Sequence, residues 1–285
     1  MKTRDFVALA TGALTLTALA VPAAHADDRP AGTSAGSNAA AQEPGPLDDD
    51  IDRFVVNDGK DLVVGVSPKE FTVTFTAKHH SGIKKGLAVL WRGGADVESA
   101  ERVLAPRIND DGTVPRFCDN IVLRFSSCVI PIVADPKGED VPDVDLNNEY
   151  AGRWNVAASL TFNNTGVEID DRFTTHYVKR AAKLTADASP ESVRRGADVT
   201  VKGTLTRANW DTHRYDGFGS GAGKVKLQFK KAGGAWQTVK TVSADSRGKV
   251  KATVKASVDG SYRLAYGGST TTGTATSPAD TIDVR

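Results

Sequence analysis

Residues 199–205 read Val-Thr-Val-Lys-Gly-Thr-Leu, with apolar side chains on alternate positions. Successive side chains of a β-strand point to opposite faces, so this stretch predicts a strand with Val199, Val201 and Leu205 facing a core. The same alternation recurs in three further runs, at 225–230 (VKLQFK), 250–255 (VKATVK) and 262–266 (YRLAY). Gly-rich and Asp-containing turns separate these runs at the spacing of antiparallel hairpins, which favours a β-sandwich.

The preceding half of the chain carries a similar but less regular pattern. Its short runs are rich in β-branched and aromatic residues and end at Gly, Asn and Asp turn signals. About seven strands fit one sandwich. The predicted strands are 71–77, 87–91, 121–125, 129–133, 154–158, 167–169 and 173–178. The mature chain shows no sustained apolar spacing of three and four residues, which argues against a long helix.

The N-terminus has the features of a secretory signal. Lys2 and Arg4 precede a short apolar run, and Ala24-His25-Ala26 is a small-residue cleavage site, so residues 1–26 are predicted to be removed. An uncleaved signal anchor is the alternative. No later run is long enough for a membrane helix, so we expect a secreted, extracellular protein without a membrane span.

The rest of the chain divides into three parts by composition. Residues 27–46 contain no Val, Ile, Leu, Phe, Trp or Tyr, and they are predicted to form a flexible leader. Residues 47–180 and 181–285 each hold one series of strands. The junction near Arg180 has no Pro- or Gly-rich spacer, so we expect closely coupled domains.

The second series also resembles a known kind of module. The stretch from Leu184 to Arg285, with ASPESVRRGADVTVKGTLTRANW, SADSRGKVKATVKASVDGSYRLAYGG and the closing DTIDVR, is similar to C-terminal modules of secreted actinobacterial proteins. Those modules are related to bacterial immunoglobulin-like domains and are often labelled hypothetical or calcium-binding. The first series resembles a partner module through SGI at 81–83, the two Cys and AGRWNV at 151–156. The resemblance implies an all-β fold of two antiparallel immunoglobulin-like β-sandwiches in tandem.

The chain contains two cysteines, Cys118 and Cys128. An even number of cysteines in an exported chain predicts one disulfide, here closing a short loop of the first domain. The alternative, a free thiol nucleophile, needs a His partner and a reducing compartment.

Charge divides unevenly between the two predicted domains. Residues 27–180 hold 17 Lys and Arg against 25 Asp and Glu, whereas residues 181–285 hold 17 against 9. Lys226, Lys249 and Lys251 occupy outward strand positions, which predicts a basic face for an anionic cell-wall polymer or acidic polysaccharide. The alternative is a solvated face whose lysines prevent edge-strand pairing. Nucleic acid is not expected, because aromatic residues do not alternate with the lysines in sequence.

Two aromatic residues are candidates for stacking on sugar rings. Trp210 and Tyr215 lie in what is predicted to be a long Gly-rich loop, 207–223. The alternative for Trp210 is a structural role at the end of the sandwich.

An acidic segment in the first domain is a candidate calcium site. Its predicted ligands are Asp135, Asp140, Asp143, Asp145 and Glu149, all of the hard oxygen type that calcium prefers. The segment does not match an EF-hand, because Asn148 stands where glycine is needed and Trp154 where glutamate is needed. A solvated acidic loop is the alternative, and no cofactor other than calcium is expected.

We therefore expect a secreted, non-catalytic binding or structural protein that is not an enzyme. One alternative is a hydrolase or inhibitor with its site in the first-domain loops, where His79 and His80 lie. The other alternative is a calcium-binding extracellular module.

Overall fold

The computed structural model describes residues 51–285 apart from 108, 110–112, 123, 139–145, 164–165 and 220. The predicted signal peptide and leader lie outside the described residues. The described chain is nearly all β-structure, which confirms the predicted fold class. Within it, helical geometry is limited to 3-10 turns at Asn57–Gly59 and Asn148–Tyr150.

The strands are numbered in chain order. They are β1 (Ile51–Val56), β2 (Leu62–Val64), β3 (Lys69–Lys78), β4 (Ile83–Arg92), β5 (Arg102–Leu104), β6 (Cys118–Val122), β7 (Phe125–Ala134), β8 (Gly152–Phe162), β9 (Val167–Arg180), β10 (Ala182–Leu184), β11 (Asp187–Ser189), β12 (Ser192–Val193), β13 (Asp198–Asn209), β14 (Arg214–Gly217), β15 (Lys224–Lys231), β16 (Gln237–Ser243), β17 (Lys249–Lys255), β18 (Gly260–Tyr266), β19 (Ala275–Thr276) and β20 (Asp280–Val284).

The first sandwich consists of two sheets, β1-β3-β7-β6 and β2-β9-β8-β4-β5. Their inner faces share one core, to which Phe75 and Ile130 contribute from the first sheet and Leu90, Val156 and Leu160 from the second. Each of these side chains is at most 2% exposed. Full burial of a side chain of this size contributes about 1.5–3 kcal/mol, so this core stabilises the packing of the two sheets.

The second sandwich also consists of two sheets. One is built on β13, which pairs with β10, β11, β14 and β17; the other has the order β12-β20-β18-β15-β16, with β19 on β18. Val199, Val201 and Leu205 are fully buried, as the alternation in β13 predicted. Leu227 and Leu264 meet them from the opposite sheet in the same core.

The predicted disulfide is confirmed, and its place in the fold is specific. Cys118 and Cys128 are directly opposite each other on β6 and β7 and form an S–S bond of 2.04 Å. Both residues lie inside the first core. A Cβ at Gly86 of β4 would lie 2.6 Å from the Cys118 Sγ, so the facing strand makes room for the disulfide with a glycine.

Four details of the predicted fold are wrong. Residues 167–169 and 173–178 are not separate strands, because both belong to β9. Residues 121–125 are not one strand, because β6 ends at Val122 and the chain turns at Arg124 before β7. The segment 207–223 is not a single loop, since it contains the end of β13 and all of β14. The sheets are not purely antiparallel, because β2 with β9 and β12 with β20 are parallel pairs.

Hydrogen bonds connect the two sandwiches through the predicted boundary at Arg180. The Arg180 N–H donates to the Thr271 carbonyl at 3.0 Å, and the Gly273 N–H donates to the Arg180 carbonyl at 2.9 Å. The Arg180 guanidinium Nε donates to the Ala208 carbonyl at 2.6 Å. Burial, together with the smaller effect of neighbouring Arg207, lowers the pKa of Arg180 to about 10. These contacts agree with close coupling, while the boundary itself stays a prediction.

Candidate anion-binding groove

The three lysines predicted to share a basic face lie on two different sheets. Lys226 lies on β15, and Lys249 and Lys251 lie on β17, which pairs with β13 of the opposite sheet. All three side chains are exposed. The outer faces of two packed sheets point away from each other, so the structure separates Lys226 from the other two.

A groove of about 720 Å³ lies over the sheet of β11, β13 and β17. It contains both predicted lysines of β17 together with Lys202 of β13. Its walls come from β11 and Thr185 before it, from β13, from the end of β16 with the turn that follows, and from β17. The lining residues are Thr185, Asp187, Lys202, Gly203, Thr204, Ser243, Ala244, Asp245, Lys249, Val250 and Lys251.

Lys202 and Lys251 are direct cross-strand partners in the groove. Both are exposed, and in the described chain neither forms an ion pair with a carboxylate. Like charges directly opposite each other in an antiparallel pair are destabilising. The next outward pair on these strands, Thr204 and Lys249, carries one charge instead of two. The Lys249 Nζ donates to the Thr204 hydroxyl at 3.0 Å. The groove thus concentrates three positive charges over two adjacent strands.

Two carboxylates also line the groove, and they differ in their roles. The Asp245 Oδ1 accepts N–H groups from Arg247 at 2.9 Å and Lys249 at 2.8 Å, so this carboxylate closes the turn before β17. Asp187 is the register partner of Lys202 on β11. Two acidic groups against three lysines leave the groove with a net positive charge.

Lys202 is not among the lysines predicted from the sequence. Its signal was present, because Lys202 alternates with buried Val201 and so occupies an outward position of β13. Recognition of the site required the pairing of β13 with β17, which brings together residues almost 50 positions apart.

The prediction that Trp210 stacks on a ligand is wrong. Trp210 is fully buried, and it belongs to the core of the first sandwich although it follows β13 of the second. Its indole Nε1 donates to the Gly65 carbonyl at 2.9 Å. This supports the structural alternative, in which Trp210 anchors the end of the second sandwich in the first.

Tyr215 is also less available than predicted. It is half-buried on β14 and packs against the first core. The Lys183 Nζ lies 3.8 Å from the centre of its ring, and burial raises the pKa of its hydroxyl. A cation already covers one side of this ring.

The structure describes only part of the acidic segment. Asp140, Asp143 and Asp145 lie outside the described residues. Asp135 is buried at the end of β7, where its Oδ1 accepts the Lys137 N–H at 2.9 Å, whereas Glu149 is exposed in a 3-10 turn. The described residues contain no group of three or more His, Cys, Asp or Glu side chains placed to hold a metal ion. Calcium binding stays a prediction.

His79 lies in the turn between β3 and β4. Its Nδ1 is 2.8 Å from the Ser81 hydroxyl, and its ring stacks on Phe162 with the ring centres 3.8 Å apart. These contacts close the turn, and the Gly82 N–H donates to the His79 carbonyl across it. A hydrolase or inhibitor site in this region stays a prediction.

The solved structures that match this chain do so at low similarity. No protein-family model and no curated protein matches the chain. The D00-D0 domain of intimin is 11% identical over 81% of this chain and 99% of its own, with a TM-score of 0.27. A bacterial ice-binding adhesin is 13% identical over 82% of this chain and 63% of its own, with a TM-score of 0.26. An amphioxus IgVJ-C2 molecule is 10% identical over 78% and 98%, with a TM-score of 0.22.

These values are too low to assign the chain to any of those proteins. Across the described residues, no helix is long and apolar enough to cross a membrane.

Proposed function

We propose that this protein is an extracellular, non-catalytic binding protein that holds an anionic polymer in the groove of Lys202, Lys249 and Lys251. The ligand class is a chain bearing repeated carboxylate or phosphate groups, such as an acidic polysaccharide or a phosphate-linked wall polymer.

The observation that carries the proposal is the pair of Lys202 and Lys251, which lie directly opposite each other and form no ion pair within the described residues. Lysines that only prevent edge-strand pairing belong on edge strands. This explanation suits β17 but not β13, because Lys202 has paired strands on both sides, with Asp187 and Lys251 as its register partners. A bound anion between the two ammonium groups would turn a repulsion into two attractions.

The size of the groove supports a ligand larger than a single ion. Its volume of about 720 Å³ lies within the usual range of ligand sites, about 300–1,000 Å³. Thr185, Thr204 and Ser243 add hydroxyl groups beside the lysines. Hydroxyls can donate to anionic oxygens, so the groove offers both charge and hydrogen bonds to such a chain.

Two further features support an extracellular location. The Cys118–Cys128 disulfide suits an oxidising compartment such as the outside of the cell. The N-terminal sequence has the composition of a secretory signal. An anionic polymer of the cell envelope would be within reach of a protein released there.

The test is a triple neutralisation of the groove. Lys202→Gln, Lys249→Gln and Lys251→Gln remove three charges but keep most of each side-chain stem. The matched control neutralises Lys69, Lys84 and Lys85, which are exposed on β3 and β4 of the first sandwich. Both variants have the same net charge, so any difference between them reports the site.

Binding is measured to polygalacturonate, polyphosphate and neutral dextran. A lysine beside an anionic surface contributes about 1 kcal/mol, so the groove variant should bind the polyanions about 100-fold more weakly than the parent. Salt should release the parent, because screening is strong beyond about 8 Å at physiological ionic strength. Equal binding by the groove and control variants would refute the site, and equal binding to dextran would refute the ligand class.

A further inference from the structure

The outer face of the six-stranded sheet carries a second set of cations. In β15 the buried Val225 and Leu227 alternate with Lys226, Gln228 and Lys230, which therefore point outward. On the adjacent strand β18, Arg263 is the direct register partner of Gln228. Lys226, Lys230 and Arg263 thus lie on one face of two paired strands. We refer to Lys226, Lys230, Arg263 and Trp236 as the Trp236 face.

Trp236 lies beside two of these cations, Lys230 and Arg263. The Arg263 guanidinium carbon is 4.1 Å from the centre of the indole ring, and the Lys230 Nζ is 5.9 Å from it. The Arg263 Nε donates to the Gln228 Oε1 at 2.8 Å, which holds the guanidinium in place beside the ring. Trp236 is half-buried, so part of a large amphipathic ring stays accessible next to the positive charges of Lys230 and Arg263.

Positive charge on the Trp236 face is not neutralised within the described residues. None of Lys226, Lys230 and Arg263 forms an ion pair there. In the same sheet, the acidic residues lie on β20, which pairs with β18 and is separated from β15 by it. On β20, the Asp280 carboxylate accepts the Ala188 N–H of the other sheet at 2.7 Å. The face therefore suits an anionic partner by charge.

The chemistry of the Trp236 face also differs from that of the groove. The groove offers lysines and hydroxyls, whereas this face adds an indole ring and a guanidinium. Aromatic rings provide apolar area for a flat partner, and a guanidinium can bind a carboxylate through two parallel hydrogen bonds. A sugar ring that bears a carboxylate fits both groups.

The groove and the Trp236 face lie on opposite sides of one sandwich. Val201 on β13 and Leu227 on β15 point inward to the same core, so the outward residues of these strands point in opposite directions. Packed sheets are about 10 Å apart, and lysine side chains extend beyond both of them. A short stretch of polymer that fills the groove cannot lie on the Trp236 face at the same time.

We propose that the Trp236 face is a second binding surface, specific for uronic-acid-type polysaccharide, and that the protein bridges two polymer chains. This inference rests on the proposed function of the groove. Bridging by a single sandwich would make the protein a cross-linker of anionic polysaccharide rather than a simple ligand of it.

The experiment measures binding and clumping of beads coated with polygalacturonate, using the full mature chain. The face variant carries Lys226→Gln, Lys230→Gln and Arg263→Gln, and the groove variant is the triple neutralisation described above. A third variant adds Trp236→Ala to the groove variant and so tests the ring alone, with polyphosphate beads as the ligand that has no sugar ring. Circular dichroism and thermal unfolding of each variant establish that it is folded.

The expected result is that the parent clumps the beads, while each triple variant still binds single beads but fails to clump them. Trp236→Ala should weaken binding of the groove variant to polygalacturonate at least 10-fold, while its binding to polyphosphate stays within twofold.

Other results would overturn the inference. If the face variant clumps beads like the parent, bridging arises elsewhere, for example from two copies that each use one groove. If the groove variant loses all binding, the Trp236 face binds nothing, and the proposed function stands alone. If neither triple variant loses affinity, both the inference and the proposed function fail.

Discussion

Replacing Trp210 with alanine removes a buried side chain that connects the two sandwiches. The indole comes from the turn between β13 and β14 but packs in the first core. Around it, the Asn148 side chain accepts the Trp210 N–H at 3.0 Å, and the Asn148 Nδ2 donates to the Asn209 Oδ1 at 2.7 Å. The substitution therefore tests whether the second sandwich stabilises the first.

The size of the effect follows from the burial of the ring. Trp210 is 0% exposed, and truncation of a buried tryptophan to alanine costs about 3–5 kcal/mol. Trp210→Phe keeps most of the apolar area but leaves the Gly65 carbonyl without its donor, which costs about 1–3 kcal/mol. Trp236→Ala is the matched control. This ring is only half-buried, so its removal should lower the free energy of unfolding by no more than about 1 kcal/mol.

Thermal unfolding measures how much stability the substitution removes, and hydrogen exchange shows which strands are destabilised. For a chain of this length, 1 kcal/mol corresponds to about 2–4 °C, so Trp210→Ala should lower the unfolding midpoint by about 6–20 °C. Amides of β8 and β9 in the first sandwich should lose protection along with those of β13. A shift below about 2 °C, or lost protection confined to the second sandwich, would refute this account of the junction.

Three further predictions concern the first sandwich. Replacing Cys118 and Cys128 by alanine should lower the free energy of unfolding by about 3 kcal/mol in the chain-entropy picture, measured by denaturant titration against the parent; an unchanged midpoint would contradict it. Burial lowers the pKa of His176, against a smaller opposing effect of Asp61, so the unfolded chain binds the proton more readily. Stability should therefore fall as the pH drops below about 6.5, and His176→Gln should flatten this fall in unfolding scans from pH 7.5 to 5; an equal fall in both proteins would exclude His176 as its cause. Millimolar calcium should raise the unfolding midpoint of the parent but not of Asp143→Asn with Asp145→Asn, and a parent that ignores calcium would leave this segment a solvated loop.

Strand alternation was the part of the fold that sequence could predict well. The inward positions of β13 follow from local chemistry, because each strand must bury one face and solvate the other. The turn at Arg124 was missed because the run from Ile121 to Phe125 contains no Gly, Pro, Asn or Asp to indicate a reversal. The two strands of this short hairpin are connected by the disulfide between Cys118 and Cys128, which lie opposite each other.

The candidate site could be predicted only in part. Alternation tells which side of its own strand a lysine occupies, but it does not tell which sheet the strand joins. Lys226 and Lys251 were therefore expected on one face, although long-range pairing puts them on opposite sides of the sandwich. Trp236 was overlooked for the same reason, because its partner Arg263 lies 27 positions further along the chain. Aromatic and basic residues do come together in space, although they do not alternate in sequence.

Lysine footprinting tests the central claim most directly, because it locates bound polymer without substituting any residue. The folded chain is acetylated briefly with and without polygalacturonate, and modification of each lysine is quantified by mass spectrometry. The account predicts that polymer protects Lys202, Lys249 and Lys251 several-fold and leaves Lys84 and Lys85 of the first sandwich unprotected. Equal protection at all five lysines, or protection at Lys84 and Lys85 alone, would contradict it.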